Sequence, residues 1–217
     1  MSEALFAAMK QSIIDGDEEA AAAVAQQALD AGIDPLEAIN AGYVAGMSYV
    51  GDQFSQGEMF LPDMMLAAEA MKAAVAVLEP EMTRRGTHRT MLGKVVLGTV
   101  KGDIHEIGKN LVATMLSASG FEVYDLGVDV PFDKFIDKAR EVNADIIGMS
   151  ALLTTTMTGQ RTVIDLLAKA GLRPQVKVMV GGAPVTRSWA AEIGADGMSE
   201  DAMGAVSLAK KLVTSNE

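Results

Sequence analysis

The stretch Lys94–Leu116, KVVLGTVKGDIHEIGKNLVATML, decides the fold. It begins with an apolar run that is typical of a buried strand and continues, after a polar connection, with the apolar spacing of a helix. The same succession recurs to the end of the chain, with strand candidates in KVVLGTV, FEVYDLG, DIIGMSA, VKVMVGG and ADGM. Apolar runs that alternate with amphipathic helices predict a parallel sheet covered on both faces. We therefore expect a flavodoxin-like (Rossmann-type) α/β domain with a five-stranded parallel sheet over residues 93–217.

The part of the chain that precedes this domain is predicted to contain helices only. Residues 1–83 are rich in Ala, Glu, Met and Leu at helical spacing, and no strand pattern interrupts them. Gly, Pro and Asp punctuate the pattern near residues 15–20, 30–35, 51–62 and 78–82. These breaks predict four helices. We expect a four-helix cap domain over 1–83 and, because residues 84–92 lack periodicity, a linker there.

Composition excludes several classes of partner and site. The chain has 18 Lys and Arg against 29 Asp and Glu, a formal net charge of −11, so it would repel a nucleic-acid backbone. It has no cysteine, which excludes disulfides, thiolate nucleophiles and Cys-based metal sites. The first residues carry acids where a secretory signal has positive charge, and no apolar run reaches membrane-spanning length. We expect a cytoplasmic protein with neither nucleic-acid nor membrane partners.

Polar residues and glycines stand where the predicted strands end, the edge at which α/β proteins bind ligands. Asp103 and His105 follow the first strand, Ser150 ends the third, and Gly181 and Gly182 follow the fourth. The Gly-Lys pair in GDIHEIGKN does not make a phosphate loop, because five residues separate the two glycines and Asn follows the Lys. No G-x-G-x-x-G follows the first strand either, so a dinucleotide fingerprint is absent.

Asp103 and His105 allow more than one kind of chemistry. An Asp–His pair can act as a general acid–base dyad, although neither a Cys nor a G-x-S-x-G nucleophile accompanies it. The other histidine, His88, lies in the predicted linker, so protein side chains supply too few donors for a zinc or non-haem iron site. A metal on His105 would then arrive inside a macrocycle, haem or corrin, with Asp103 orienting the imidazole. A capping Asp beside a loop His, with no bound group, is the simpler alternative.

The segments at the strand ends resemble the motifs of cobalamin-binding proteins. The hexapeptide DIHEIG, Asp103 to Gly108, has their D-x-H-x-x-G pattern, Ser150-Ala151-Leu152 has the S-x-L pattern, and Gly181-Gly182 follows. The segment YVAGMSYVGDQFSQGEMFLPDMMLAAEAMKAAVAVLEP resembles the helical cap of corrinoid proteins in methyltransferase systems, such as those for methylamines and methanol. The chain is also similar to the cobalamin-binding region of methionine synthase. The resemblance covers nearly the whole chain.

This resemblance implies a role for each motif residue. In that family the lower base of the corrinoid leaves cobalt, and the motif histidine replaces it. His105 would be the lower axial cobalt ligand, Asp103 would accept its hydrogen bond, and Ser150 would hydrogen-bond Asp103 to complete a proton relay. The other cofactor-binding positions would be Ile104 in the motif and, along a slot for the nucleotide tail, Gly108, Leu152, Thr154, Gly181 and Gly182.

The resemblance also implies a methyl carrier that works with partner enzymes. A substrate-specific methyltransferase would methylate cob(I)alamin, and a second one would move the methyl group from methylcob(III)alamin to a thiol or a folate. A reductive activase is a third expected partner, with cob(II)alamin as a third state. Alternatives are the small subunit of an adenosylcobalamin-dependent mutase, a cobalamin-sensing regulator, and a cofactor-free signalling domain of the same fold. Methylamines, methanol, methoxylated aromatics and betaines all stay open as methyl donors.

Methionines in the cap suggest what covers the other face of the corrinoid. The chain has 15 Met, and flexible thioethers suit surfaces that repack. We expect Met64 and Met65 to contact the corrinoid and to rearrange when a methyltransferase docks. The methionines in or beside the cap segment are Met47, Met59, Met64, Met65 and Met71.

Overall fold

The computed structural model describes residues 2–85, 91–173 and 175–214. The chain divides into two units, residues 1–90 and 91–217. In the described part of the chain no helix has the length and apolar character needed to cross a membrane.

Over the residues that the structure describes, the first unit consists of helices and short connections. Two aspartates begin helices, because the Asp17 side chain accepts from the Ala20 N–H and the Asp34 side chain from the Leu36 N–H. A π-helix joins α3 directly to α4, so the described part of the unit has four continuous helical stretches, as predicted. Its elements are α1 (Ser2–Ile14), α2 (Glu18–Asp30), α3 (Pro35–Glu37), the π-helix (Ala38–Tyr43), α4 (Val44–Gln56) and α5 (Leu61–Arg85).

Alanine-rich faces hold the helical unit together. Along α2, Ala21, Ala25 and Ala28 are buried at the spacing of one helix face, and α2 makes its main contact with α5. Small side chains let two helices approach closely. The buried Tyr43 adds a polar tie, since its hydroxyl donates to the Ala21 carbonyl at 2.8 Å, and burial raises the pKa of this phenol well above its ordinary value.

The helix break predicted at 78–82 is wrong. α5 runs on through Pro80 to Arg85, and its last turn is held by Glu81, whose carboxylate accepts from both Arg84 and Arg85. The predicted linker at 84–92 therefore begins inside the helix. Residues 86–90 of that linker, including His88, lie outside the described residues.

The second unit confirms the predicted α/β fold. Its five strands are all parallel, in the order β2-β1-β3-β4-β5, and helices separate them along the chain. The strands are β1 (Lys94–Thr99), β2 (Glu122–Asp125), β3 (Ile146–Ser150), β4 (Lys177–Gly181) and β5 (Gly197–Ser199). The helices are α6 (Ile107–Ala118), α7 (Phe132–Val142), α8 (Thr158–Lys169), α9 (Arg187–Ile193) and α10 (Ala202–Thr214).

The register of the sheet brings the predicted motifs to one edge. Thr99 pairs with Ser150, Ser150 with Gly181, and Gly181 with Ser199. The carboxyl ends of four strands thus lie level, and the connections that follow them start side by side. Buried apolar side chains fill the sheet faces beneath this edge, which leaves the loops above it free for a ligand.

Candidate functional site

The loop between β1 and α6 is held rigidly from both sides. Gly102 adopts a left-handed φ of +85°, a conformation that glycine takes without strain. The Thr99 hydroxyl donates to the His105 carbonyl at 2.9 Å. From the connection after β2, the Asp129 N–H donates to the Asp103 carbonyl, and the Asp129 carboxylate accepts from the Gly102 N–H at 2.7 Å. To make both contacts, Asp129 adopts a left-handed φ of +51°, a backbone conformation that is strained for a residue with a side chain.

His105 and Asp103 form the predicted pair. Nδ1 of His105 lies 2.7 Å from Oδ1 of Asp103, which also accepts the His105 backbone N–H at 3.1 Å. A carboxylate can only accept, so Nδ1 carries the proton, and in the neutral form of an imidazole Nε2 then keeps its lone pair. The His105 side chain is 47% exposed, whereas that of Asp103 is fully buried. The geometry therefore fixes the tautomer, and among the described residues Nε2 of His105 has no hydrogen-bond partner.

The second oxygen of Asp103 is bound by the segment that follows β3. Oδ2 accepts from the Leu152 N–H at 2.8 Å and from the Thr156 hydroxyl at 2.7 Å. Burial by itself would raise the pKa of Asp103, but hydrogen bonds from Thr156, His105 and Leu152 outweigh it and hold the pKa well below its usual range. Asp103 is therefore an ionised, buried carboxylate that bridges two loops.

Thr156, and not Ser150, supplies the hydroxyl that reaches Asp103. Ser150 ends β3, where its carbonyl accepts from the Val100 N–H at 3.0 Å, and within the described residues no hydrogen bond joins it to Asp103. The chain turns after β3, with the Thr156 N–H donating to the Leu153 carbonyl, and this turn carries Thr156 back to the strand ends. The run of three threonines at 154–156 is the sequence feature that could have indicated a hydroxyl donor in this segment.

The glycine motif lies against the S-x-L segment. Gly182 has a φ of +119°, and a Cβ there would stand 1.8 Å from the Ala151 carbonyl oxygen, so only glycine fits. Gly108 differs, since a Cβ there would meet no atom of the described residues within 4 Å. No neighbour in this part of the chain therefore explains glycine at the first turn of α6, and we expect a ligand to approach it.

Apolar side chains in the two segments that meet at Asp103 are exposed instead of being buried. Ile104 is 73% and Ile107 80% exposed, and Leu152 and Leu153 are about two-fifths exposed. Thr154 is exposed in the same segment. Exposed apolar groups around one nitrogen donor suit the face of a large organic ring.

The two cap methionines differ in their surroundings. Met64 is fully buried, whereas Met65 is 53% exposed, and both belong to α5 of the helical unit. Their expected contact with a cofactor stays a prediction.

The donor set suits a metal that brings its own ligands. Among the described residues, His, Asp and Glu side chains nowhere gather in the groups of three that a protein-only metal site needs. His105 offers a single nitrogen, oriented by a buried carboxylate as metal-binding histidines usually are. A corrin ring supplies four nitrogen donors and leaves an axial place for one imidazole, so the residues present fit such a group.

Comparisons with known proteins point to the same cofactor. Residues 93–207 match one family described as a B12 binding domain, and residues 5–79 match a second family of that description. The trimethylamine corrinoid protein 2 of Methanosarcina acetivorans is 54% identical over 213 residues, which is 98% of each chain.

The solved structures that resemble the chain include two crystal structures. One is a cobalamin-binding protein from Desulfitobacterium hafniense, with 38% identity, a TM-score of 0.79 and coverage of 94% of this chain and 97% of the other. The other is the methanol:cobalamin methyltransferase complex MtaBC from Methanosarcina barkeri, with 29% identity, a TM-score of 0.88 and coverage of 99% of this chain and 81% of the other. The chain therefore belongs to the family of B12-binding corrinoid proteins.

Proposed function

We propose that this protein is a corrinoid methyl carrier with His105 as the lower axial ligand of cobalt. The observation that carries the proposal is the open Nε2 of His105, whose ring is oriented through Nδ1 by the buried Asp103. When bound, the corrinoid supplies the chemistry, because its cobalt can accept a methyl group and give it up again. The protein's residues hold the ring, exclude water and adjust the donor strength of the imidazole.

Asp103 and Thr156 would form the relay behind His105. The carboxylate accepts from the imidazole on one oxygen and from the Thr156 hydroxyl on the other. A change in the charge on His105 would therefore alter both hydrogen bonds. An imidazole that donates to an ionised carboxylate is a stronger electron donor to a metal. Thr156 thereby takes the part first expected of Ser150.

The nucleotide tail of the corrinoid would lie along the carboxyl edge of the sheet. Gly181 ends β4 and Gly182 follows it beside Ala151. The open space at Gly108 would let the ligand approach the start of α6. We assign the slot to Gly108, Leu152, Thr154, Gly181 and Gly182. Ile104, Met64 and Met65 complete the proposed cofactor contacts.

The partners are proposed from the names of the relatives. The similar chains include a trimethylamine corrinoid protein and a part of the methanol:cobalamin methyltransferase complex. We infer that one methyltransferase loads this protein with a methyl group, that a second one transfers it to a thiol or folate, and that a reductive activase restores inactive carrier. A cytoplasmic location is part of the same proposal.

The direct test is the absorption and EPR spectrum of the protein reconstituted with cobalamin. We expect the nucleotide base to be off cobalt and a histidine nitrogen to be on it, and we expect His105→Ala to lose the nitrogen signature. His88→Ala, which removes the chain's other histidine, is the matched control and should keep the signature. Identical spectra for His105→Ala and the unaltered chain would overturn the ligand assignment.

A further inference from the structure

Gln160 is a fully buried amide directly beneath the proposed nucleotide slot. It lies in the first turn of α8, with none of its surface exposed. Its Nε2 donates to the Met149 carbonyl at 3.2 Å and to the Gly181 carbonyl at 3.3 Å. Its Oε1 accepts from the indole N–H of Trp189 at 2.9 Å. One side chain therefore joins α8 to the ends of β3 and β4 and to α9.

The two carbonyls that Gln160 binds belong to the strand ends that carry the S-x-L and glycine motifs. The Gly181 carbonyl also accepts from the Ala151 N–H at 3.1 Å, and the next residue, Gly182, touches the Ala151 backbone. The relative placement of β3 and β4 at this edge thus depends on a few backbone contacts. Gln160 stabilises that placement, because it binds a carbonyl of each strand.

Trp189 is itself held in place, which limits the movement of the Gln160 amide that it binds. The Arg161 guanidinium lies over the indole ring, 5.0 Å from its centre, and Arg161 also forms an ion pair with Glu192 of α9. The indole N–H, fixed in this way, orients the Gln160 amide so that its N–H groups face the two carbonyls.

An amide at this position is not needed to fill volume. Gln160 lies beside the cluster of buried apolar residues between α8 and the sheet, where Met or Leu would occupy nearly the same space. Burying an amide has a cost unless its polar atoms are bonded, and here all of them are. What the amide adds is a fixed geometry at two strand ends.

We propose that Gln160 is a positioning residue for the nucleotide tail of the corrinoid. It holds the backbone of Ala151 and of Gly181-Gly182 at the separation that lets the tail enter, and Trp189 holds Gln160. This inference rests on the proposed function, because the slot belongs to that proposal. It predicts that Gln160 matters for a corrinoid that has a nucleotide tail and not for one that lacks it.

The experiment compares two probes by absorption titration: cobalamin, and cobinamide, which has the same ring without the nucleotide tail. In Gln160→Met, which keeps the volume and removes the hydrogen bonds, we expect the Kd for cobalamin to rise about tenfold. The Kd for cobinamide should stay unchanged. Trp189→Phe removes the indole N–H that binds Oε1 and leaves the two carbonyl bonds of Gln160 in place, so it should raise the cobalamin Kd in the same direction by a smaller factor, even if Gln160→Met folds poorly.

Arg173→Met is the control for a merely structural effect. Arg173 donates to the carbonyls of Val176 and Gly194 at the opposite, amino-terminal end of β4. This variant should lower the melting temperature and leave the ratio of the two Kd values as in the unaltered chain.

The outcomes separate the two proposals. Equal losses for cobalamin and cobinamide in Gln160→Met, or no loss for either, would overturn the positioning role while the carrier function stands. An unaltered chain that does not prefer cobalamin over cobinamide would overturn the nucleotide slot itself.

Discussion

Thr156 donates a hydrogen bond to Asp103 over 2.7 Å, although 53 positions separate the two residues in the sequence. Through this bond the turn after β3 is fastened to the loop after β1. The same carboxylate orients His105 with its other oxygen. Thr156 therefore acts on the imidazole through Asp103.

The first prediction concerns which hydroxyl serves Asp103. Thr156→Val keeps the side-chain shape but leaves a buried carboxylate with one donor fewer, so we expect the free energy of unfolding to fall by about 1.5 to 3 kcal/mol. Urea unfolding of the protein without corrinoid measures this loss. Thr156→Ser should recover most of it, because the hydroxyl returns.

Ser150→Ala is the matched control, because the described residues show no bond between Ser150 and Asp103. Its effect on unfolding should stay within about 0.5 kcal/mol. A larger loss in Ser150→Ala than in Thr156→Val would restore Ser150 as the relay residue.

The second prediction separates two glycines of the site. Gly182→Ala must adopt a φ of +119° and meet the Ala151 carbonyl, so we expect a loss of about 3 kcal/mol or more in unfolding free energy. Gly108→Ala meets no atom of the described residues and lies in a helix, so the free energy of unfolding should be unchanged or higher by up to about 1 kcal/mol.

Gly108→Ala should nevertheless weaken cobalamin binding in an absorption titration. Binding as tight as that of the unaltered chain would show that the ligand does not approach Gly108.

The sequence was sufficient to predict the parallel sheet and the pairing of Asp103 with His105. Strands such as VVLGT are short buried runs in which β-branched residues are frequent. Asp103 and His105 are only two residues apart, so the turn after β1 alone brings them together. Local pattern and local geometry agree in both cases.

The sequence could not predict contacts that depend on how distant turns fold. The turn after β3 carries Thr156, not Ser150, to Asp103. The hydrogen bonds between Asp129 and the loop after β1 require a left-handed backbone at Asp129, in the connection after β2. The neighbouring residues in the sequence do not predict that conformation. Pro80 signalled the end of a helix, but α5 continues for a further turn, in which Met82 is buried and Glu81 pairs with two arginines.

The third prediction concerns the lysine beside the motif. Lys109 has a side chain that is only 1% exposed, and its ammonium pairs with Asp125 at the end of β2 and with Asn110. Asp125→Ala would leave the buried ammonium without its counter-charge, so we expect a loss of about 3 to 5 kcal/mol in unfolding free energy. Lys109→Met should cost less, because the remaining Asp125 is about one-third exposed and keeps its hydration.

Urea unfolding of both single variants and of the double variant measures this asymmetry. In the double variant no buried charge is left unpaired, so part of the loss caused by Asp125→Ala should be recovered. If Lys109→Met proves to be the more costly change, the argument from the buried ammonium is wrong.

The fourth prediction assigns different tasks to two adjacent methionines. Met64 is fully buried, so Met64→Gln should lower the unfolding free energy by about 1 to 3 kcal/mol through an unsatisfied amide. Met65 is 53% exposed, so Met65→Gln should leave the free energy of unfolding within about 0.5 kcal/mol of its original value. It should nevertheless shorten the lifetime of cob(I)alamin, because a polar group in place of the proposed thioether contact admits water to the corrinoid. Anaerobic absorption decay measures that lifetime, and Leu66→Gln, a neighbouring residue of similar exposure, is the control that should leave it unchanged. Equal lifetimes and equal methyl-transfer rates in Met65→Gln and the unaltered chain would show that Met65 does not shield the corrinoid.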